Sequence, residues 1–166
     1  MTKEEIEEVL RAHALWCSNK DNGGRANLTG VYLRGADLTG ADLTQADLRG
    51  TNLADSKLPH FQLCPEVGQF RAYKKVQGGH ILELLISKRA LRTSSLVGRK
   101  CRASRVKVMG VVGGSSKTRF SSIYNSDFTY EVGKWIEVPN FDPDIRVECT
   151  RGIHFFMTMR EAEEYR

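Results

Sequence analysis

The chain has 166 residues, 40% of them hydrophobic and 27% charged, which suits one ordinary domain or two very small ones and excludes a large multidomain assembly. The composition lies near the globular average, so a disordered or collagen-like polymer is also excluded. Twenty-five basic and 20 acidic residues give a net charge of +5, which points to an anionic partner only if the excess is clustered.

The opening MTKEEIEEVL is acidic and has no cationic flank before an apolar core, so it does not read as a secretory signal. No apolar run nears the roughly 18 residues that a membrane helix needs. The expected setting is cytoplasmic, with no membrane partner, and the scattered Cys17, Cys64, Cys101 and Cys149 are expected as free thiols. Thr2 and Glu5 have capping-box spacing, and Ile6, Val9, Leu10, His13 and Trp16 follow at helical intervals. This predicts a helix over residues 3–18 in an N-terminal capping segment, 1–25, closed by the turn Asn22-Gly23-Gly24. His13, on the apolar face, is expected to be a hydrogen-bonded core histidine rather than a ligand.

From Ala26 the chain divides into blocks of five: ANLTG, VYLRG, ADLTG, ADLTQ, ADLRG, TNLAD, SKLPH and FQLCP. Leu28, Leu33, Leu38, Leu43, Leu48, Leu53, Leu58 and Leu63 fall in register. A period of five fits neither a 3.6-residue helix nor a two-residue strand, so something turns the chain in every block. The leucine then points inward beside a small residue, Asp or Asn bonds nearby backbone, and glycine takes positive φ at the corners. Val31 and Tyr32 break the pattern and are expected to touch the N-terminal helix. The unit A-(D/N)-L-x-x, met literally in ADLTG, ADLTQ and ADLRG, resembles the pentapeptide-repeat family over Ala26–Pro65. That resemblance implies a short right-handed quadrilateral β-helix of two coils, which needs caps at its ends.

Beyond Pro65 the rhythm stops, and residues 66–166 read as a small α+β domain. The whole is thus expected to be mainly β with α. Strands are predicted near 70–76, 80–87, 105–112, 122–124, 128–130, 135–136 and 153–157, with a helix over 159–165 capped by Thr158 and Glu161. The basic excess lies here: residues 71–119 hold thirteen Lys or Arg and one acid, Glu83. Residues 1–69 sum to −3 and residues 120–166 to −4. Arg99, Lys100, Arg102, Arg105 and Lys107 are therefore candidates for binding nucleic acid or a nucleotide, against pairing with Asp142, Asp144 and Glu148. GVVGGSSKT at 110–118 lacks the glycine before the lysine and the following helix of a phosphate loop, so it reads as a hairpin loop.

Cys149 and His154 form the one suggestive chemical pair, open to reading as a nucleophilic dyad or as half a zinc site with Cys101 and either Cys64 or His80. Neither has its supporting pattern, so no catalytic residue, metal or cofactor is assigned and the commoner expectation is a structural thiol and a strand histidine. YKKV at 73–76, GRKCRAS at 98–104, SIYNSDFTYEVG at 122–133 and ECTRGIHFF at 148–156 resemble an uncharacterised domain that follows pentapeptide repeats in bacteriophage and large-virus proteins. The resemblance implies a viral or prophage setting; because solenoids commonly serve by their surface and no complete catalytic constellation is present, the expected function is a non-enzymatic interaction module with a host or viral protein as partner, a homo-oligomer staying open. Mimicry of DNA is disfavoured, since Ala26–Pro65 carries three basic and four acidic residues and no anionic rod.

Overall fold

The computed structural model describes residues 1–166. The protein is mainly β with two short helices, and it divides into two compact units that are not contiguous in sequence. Unit 1 comprises Met1–Gln62, Ser95–Gly98 and Asp144–Glu148; unit 2 comprises Leu63–Ser94, Arg99–Pro143 and Cys149–Arg166. The expected contiguous boundary near residue 65 thus meets two short segments, 95–98 and 144–148, that belong with the repeat.

Unit 1 opens with α1, Lys3–Cys17. Its capping box forms as the spacing predicts: Thr2 Oγ1 accepts from the Glu5 amide, and the Glu5 carboxylate accepts from the Thr2 amide at 2.7 Å. Ile6, Val9 and Leu10 pack on the repeat leucines. His13 is fully buried, its Nδ1 accepts the Ala26 N–H at 3.1 Å, and its ring stacks on Trp16. The return turn passes so close that a Cβ on Gly23 would lie 2.3 Å from the Trp16 amide nitrogen, which is why glycine stands there.

The first six of the eight repeat blocks form one turn each. The amide of the residue three beyond each leucine donates to that leucine's carbonyl, from Val31 to Leu28 through Ser56 to Leu53. Positive φ recurs every five residues, at Gly30, Gly35, Gly40, Gln45, Gly50 and Asp55. That is the position where a type II turn favours glycine. Asn27, Asp37, Asp42, Asp47 and Asn52 each accept the amide two residues on. Parallel bridges join Asn27 to Asp47, Tyr32 to Asn52 and Asp37 to Lys57, so residues twenty apart, four blocks, lie side by side. Where the small position is hydroxylated, Thr51 and Ser56 donate to the carbonyls of Leu28 and Leu33, both at 2.8 Å. Leu28, Leu33, Leu38, Leu43 and Leu48 are buried and Leu53 and Leu58 partly so, whereas Leu63 packs in the other unit's core. Val31 joins the repeat core, but Tyr32 is 65% exposed and does not, correcting the expectation that both face α1.

The ladder's next place is taken from far along the chain. The Gln45 amide would reach residue 64 if the twenty-residue stacking continued; it donates instead to the Val97 carbonyl at 2.8 Å. Leu96 is buried among the repeat leucines and its amide donates to Ile145, while Arg146 reaches the Thr51 carbonyl and forks onto Asp144 at 2.7–2.8 Å. Gln45 is the one glutamine in a corner otherwise filled by glycine or Asp55, and left-handed backbone costs a side-chain-bearing residue roughly 1–2 kcal/mol. Gln45→Gly keeps the amide donor, so we expect it to raise the stability of unit 1 by about 0.5 kcal/mol after the added unfolded-chain entropy, read as a higher urea midpoint.

Unit 2 is built from β1 (Phe70–Lys75), β2 (Ile81–Ile86), β3 (Arg92–Ser95), β4 (Gly98–Ala103), β5 (Arg105–Val111), β6 (Arg119–Ser121), β7 (Thr129–Glu131), β8 (Trp135–Glu137), β9 (Ile153–Phe155) and α2 (Met159–Glu164). The tips of β3 and β4 lie in unit 1. Three open sheets form, in the orders β1-β2-β5-β8, β3-β4-β9 and β6-β7. β3 and β4 were not predicted, and β6 lies three residues before its predicted place at 122–124. GVVGGSSKT begins in the last two residues of β5, and its remainder, 112–118, is an exposed turn that leads into β6 rather than a helix, as its spacing indicates. The core centres on Ala72, Leu84, Val106, Phe120 and Phe155, and an antiparallel bridge between Tyr73 and Phe156 sets β1 beside the end of β9. No helix is long and apolar enough to cross a membrane.

Candidate functional site

Local chemistry explains how unit 2 directs cationic side chains inward. On β4, Arg99 is exposed and ion-paired with Glu161 of the α2 capping box, whereas Lys100, the next residue, is only 4% exposed. β9 pairs antiparallel with β4, setting His154 opposite Arg102. The Tyr73–Phe156 bridge then brings Lys74 to the His154 carbonyl, to which its Nζ donates at 3.1 Å. Lys75 Nζ donates to the carbonyls of Glu163 and Tyr165 at 2.8 and 2.7 Å, satisfying carbonyls that the end of α2 leaves open. This fixes Tyr165, whose hydroxyl accepts from Lys100 Nζ at 3.0 Å.

These groups line a cavity of about 690 Å³. Lys74, Lys75 and Lys100 provide amines, and Arg151 and His154 stand beside them. Tyr124, Phe128, Tyr130, Phe156 and Tyr165 provide aromatic walls. No Asp or Glu side chain is among the lining residues. Lys74 Nζ lies over the Tyr130 ring at 5.3 Å and Lys100 Nζ over the Tyr165 ring at 4.6 Å, geometries in which the ring faces attract the cations. Burial, and then the charge of Lys100, push the Lys74 amine down to about 8. Burial holds the Tyr130 phenol above its usual range, so it stays neutral and offers its hydroxyl. The Tyr165 phenol is also raised, first by burial, against the lowering effect of its bond from Lys100. Tyr124 is 70% exposed at the rim, edge-on to Tyr165 at 6.1 Å, next to the exposed Asn125.

The sequence-derived candidates separate. Lys100, Cys149 and His154 line this one cavity, with Lys100 Nζ 3.0 Å from Cys149 Sγ. The other four basic candidates do not line it. Arg99 is paired outside it. Arg102 is fully buried, with Nη2 donating to the Asp142 carbonyl at 3.3 Å. Arg105 lies 3.9 Å from Glu137 and stacks on Trp135, and Lys107 sits on β5 opposite Trp135. Strand alternation and internal pairing thus break up the basic run that looks continuous in sequence. Asp144 pairs with Arg146.

Cys149 is exposed and has Lys100 as its cationic neighbour. Cys64 and Cys101 are buried together elsewhere, both beside Ser94 Oγ at 3.5–3.6 Å, and His80 rests edge-on against Phe120. Hydrogen bonding with Cys64 and burial raise the Cys101 thiol well above its ordinary range. No group of three His, Cys, Asp or Glu side chains is placed to hold a metal ion.

Lys74, Tyr124, Tyr130 and Tyr165 were not singled out from sequence as site residues. Their signal lay in the family-like stretches: YKKV, GRKCRAS, SIYNSDFTYEVG and ECTRGIHFF contribute fifteen of the sixteen lining residues, all but Tyr165. Pentapeptide repeats, in eight copies, match residues 25–60, and a family model described as a family of unknown function, DUF5758, matches residues 60–162. Neither the curated proteins nor the solved structures returned a match.

Proposed function

We propose that this chain, which belongs to the family of unknown function DUF5758, is a non-enzymatic binding protein whose second unit holds an anionic group in the Lys74–Lys100 cavity. The observation that carries the reading is the convergence of four separated sequence stretches on a cavity with three amines and no carboxylate in its wall. Lysine amines suit a phosphate or other compact anion as point charges. Thermal unfolding of the full chain at low salt, with and without inorganic phosphate or pyrophosphate, tests it. Binding to the folded state raises Tm with ligand concentration, and the rise vanishes in Lys74→Met. Identical Tm shifts in wild type and Lys74→Met would sink the reading.

The repeat acts in this proposal as a right-handed quadrilateral β-helix of two coils that displays a protein-binding surface. One turn in each of the first six blocks and pairing at a separation of twenty residues support that shape. The large, 65% exposed Tyr32 ring beside the Asn52 rung supports its use as a contact surface. A viral or prophage setting, with a host or viral protein as partner, rests on the sequence resemblance. Affinity capture by wild type and Tyr32→Ser, with nuclease present, checks it: a protein partner held by the first and lost by the second is the expected result, and equal retention counts against this surface.

A further inference from the structure

The cavity's walls say more about its ligand than its charge does. The amines come from β1 and β4 and are buried or half-buried, whereas the Tyr124 ring and the Asn125 carboxamide are exposed and form the mouth. A bare inorganic anion uses none of the mouth, and the roughly 690 Å³ space lies in the range of about 300–1,000 Å³ common for small-molecule sites. A flat ring on Tyr124 gains stacking energy that tolerates ring identity, and the neighbouring Asn125 carboxamide, whose oxygen accepts the Asp127 amide at 3.1 Å, keeps its N–H donors for a ring edge. A nucleic-acid strand fits less well. It needs a continuous cationic track, yet Arg71, Arg99 and Arg105 outside the cavity are matched by Glu83, Glu161 and Glu137.

We infer that the ligand is a nucleoside phosphate, its phosphate on Lys74 and Lys100 and its base against Tyr124 at the mouth. The inference rests on the anion-binding reading above and adds the organic half of the ligand. Lys74 supports it independently: burial and Lys100 both oppose its charge, and a bound phosphate would offer its amine a counter-charge.

Calorimetric titration of the full chain at low salt, with the four common ribonucleoside monophosphates, ribose 5-phosphate, inorganic phosphate and an oligoribonucleotide, tests it. We expect at least one mononucleotide to bind ten-fold or more tightly than ribose 5-phosphate. Tyr124→Ala should weaken that mononucleotide about ten-fold while leaving inorganic phosphate unchanged, and Tyr124→Phe, which keeps the ring, should bind like wild type. Tyr124 is exposed, so neither change threatens folding. Bound nucleotide should also slow alkylation of the exposed Cys149 by iodoacetamide several-fold in the unmutated protein. If ribose 5-phosphate binds as tightly as every mononucleotide, the base contributes nothing and this inference falls while anion binding stands. If no phosphate compound binds, both fall. An oligoribonucleotide that binds far more tightly than any mononucleotide, with affinity rising with length, overturns the inference in favour of a polymer.

Discussion

Replacing Leu48 by alanine lowers the unfolding free energy of unit 1 by about 3 kcal/mol, within the range of about 2–5 kcal/mol for a buried leucine that leaves a cavity. Leu48 is fully buried, and its neighbours cannot easily collapse onto the gap. Each of the first six blocks is tied by its own turn, and the rung beside Leu48 is held by the 2.8 Å bond from the Leu28 amide to Asp47. The measurement is urea unfolding followed by Trp16 fluorescence in a Trp135→Phe background, since Trp16 stacks on His13 within unit 1. Leu63→Ala is the control. It has the same place in the five-residue register but packs in the core of unit 2, so it should leave the Trp16 transition where it was. A loss below 1 kcal/mol for Leu48→Ala would show that the leucine row does not carry the repeat.

Lys74→Met should make unit 2 more stable at pH 7, by about 2 kcal/mol, while abolishing phosphate binding. The folded amine titrates at about 8 and the unfolded one at 10.5, a depression whose full cost is on the order of 3 kcal/mol. Loss of the bond to the His154 carbonyl takes back about 1 kcal/mol. Below pH 8 both states are protonated and the cost is fully present. Between about pH 8 and 10.5 the folded chain releases a proton that the unfolded chain retains, so wild-type stability rises with pH and the advantage of Lys74→Met shrinks. The check is the difference between wild-type and Lys74→Met melting curves from pH 7 to 10.5. A constant difference across that range would mean that Lys74 carries no buried charge. Stability lost to hold an unbalanced cation is the pattern expected of a residue kept for binding.

The repeat was legible because its rule is local: one leucine, one small residue and one corner in each five, all visible without knowing what lies nearby. The caps of α1 and α2 were legible for the same reason, since Thr2 with Glu5 and Thr158 with Glu161 are three residues apart. What escaped depends on distant partners. Leu96, Ile145 and Arg146 complete the repeat from 30 or more residues beyond its last buried leucine rung, and nothing in VGRK or DIRV announces it. β4 was hidden because GRKCRA reads as a solvated basic run, yet Lys100 and Arg102 are buried. The cavity was hidden because Lys74, Lys100 and His154 meet only through strand pairing across separations as large as 80 residues, and Tyr124 joins them from the loop between β6 and β7.

The division of the chain into non-contiguous units also governs how it can be made. It passes between units at 62/63, 94/95, 98/99, 143/144 and 148/149. During synthesis, all eight leucine blocks are made before Val97, Ile145 and Arg146 exist, and the Gln45 amide has no ladder partner until Val97 is added. Completion of unit 1 therefore waits until residues 95–98 and 144–148 have been made, and a nascent chain halted before residue 97 presents an open strand edge to its surroundings.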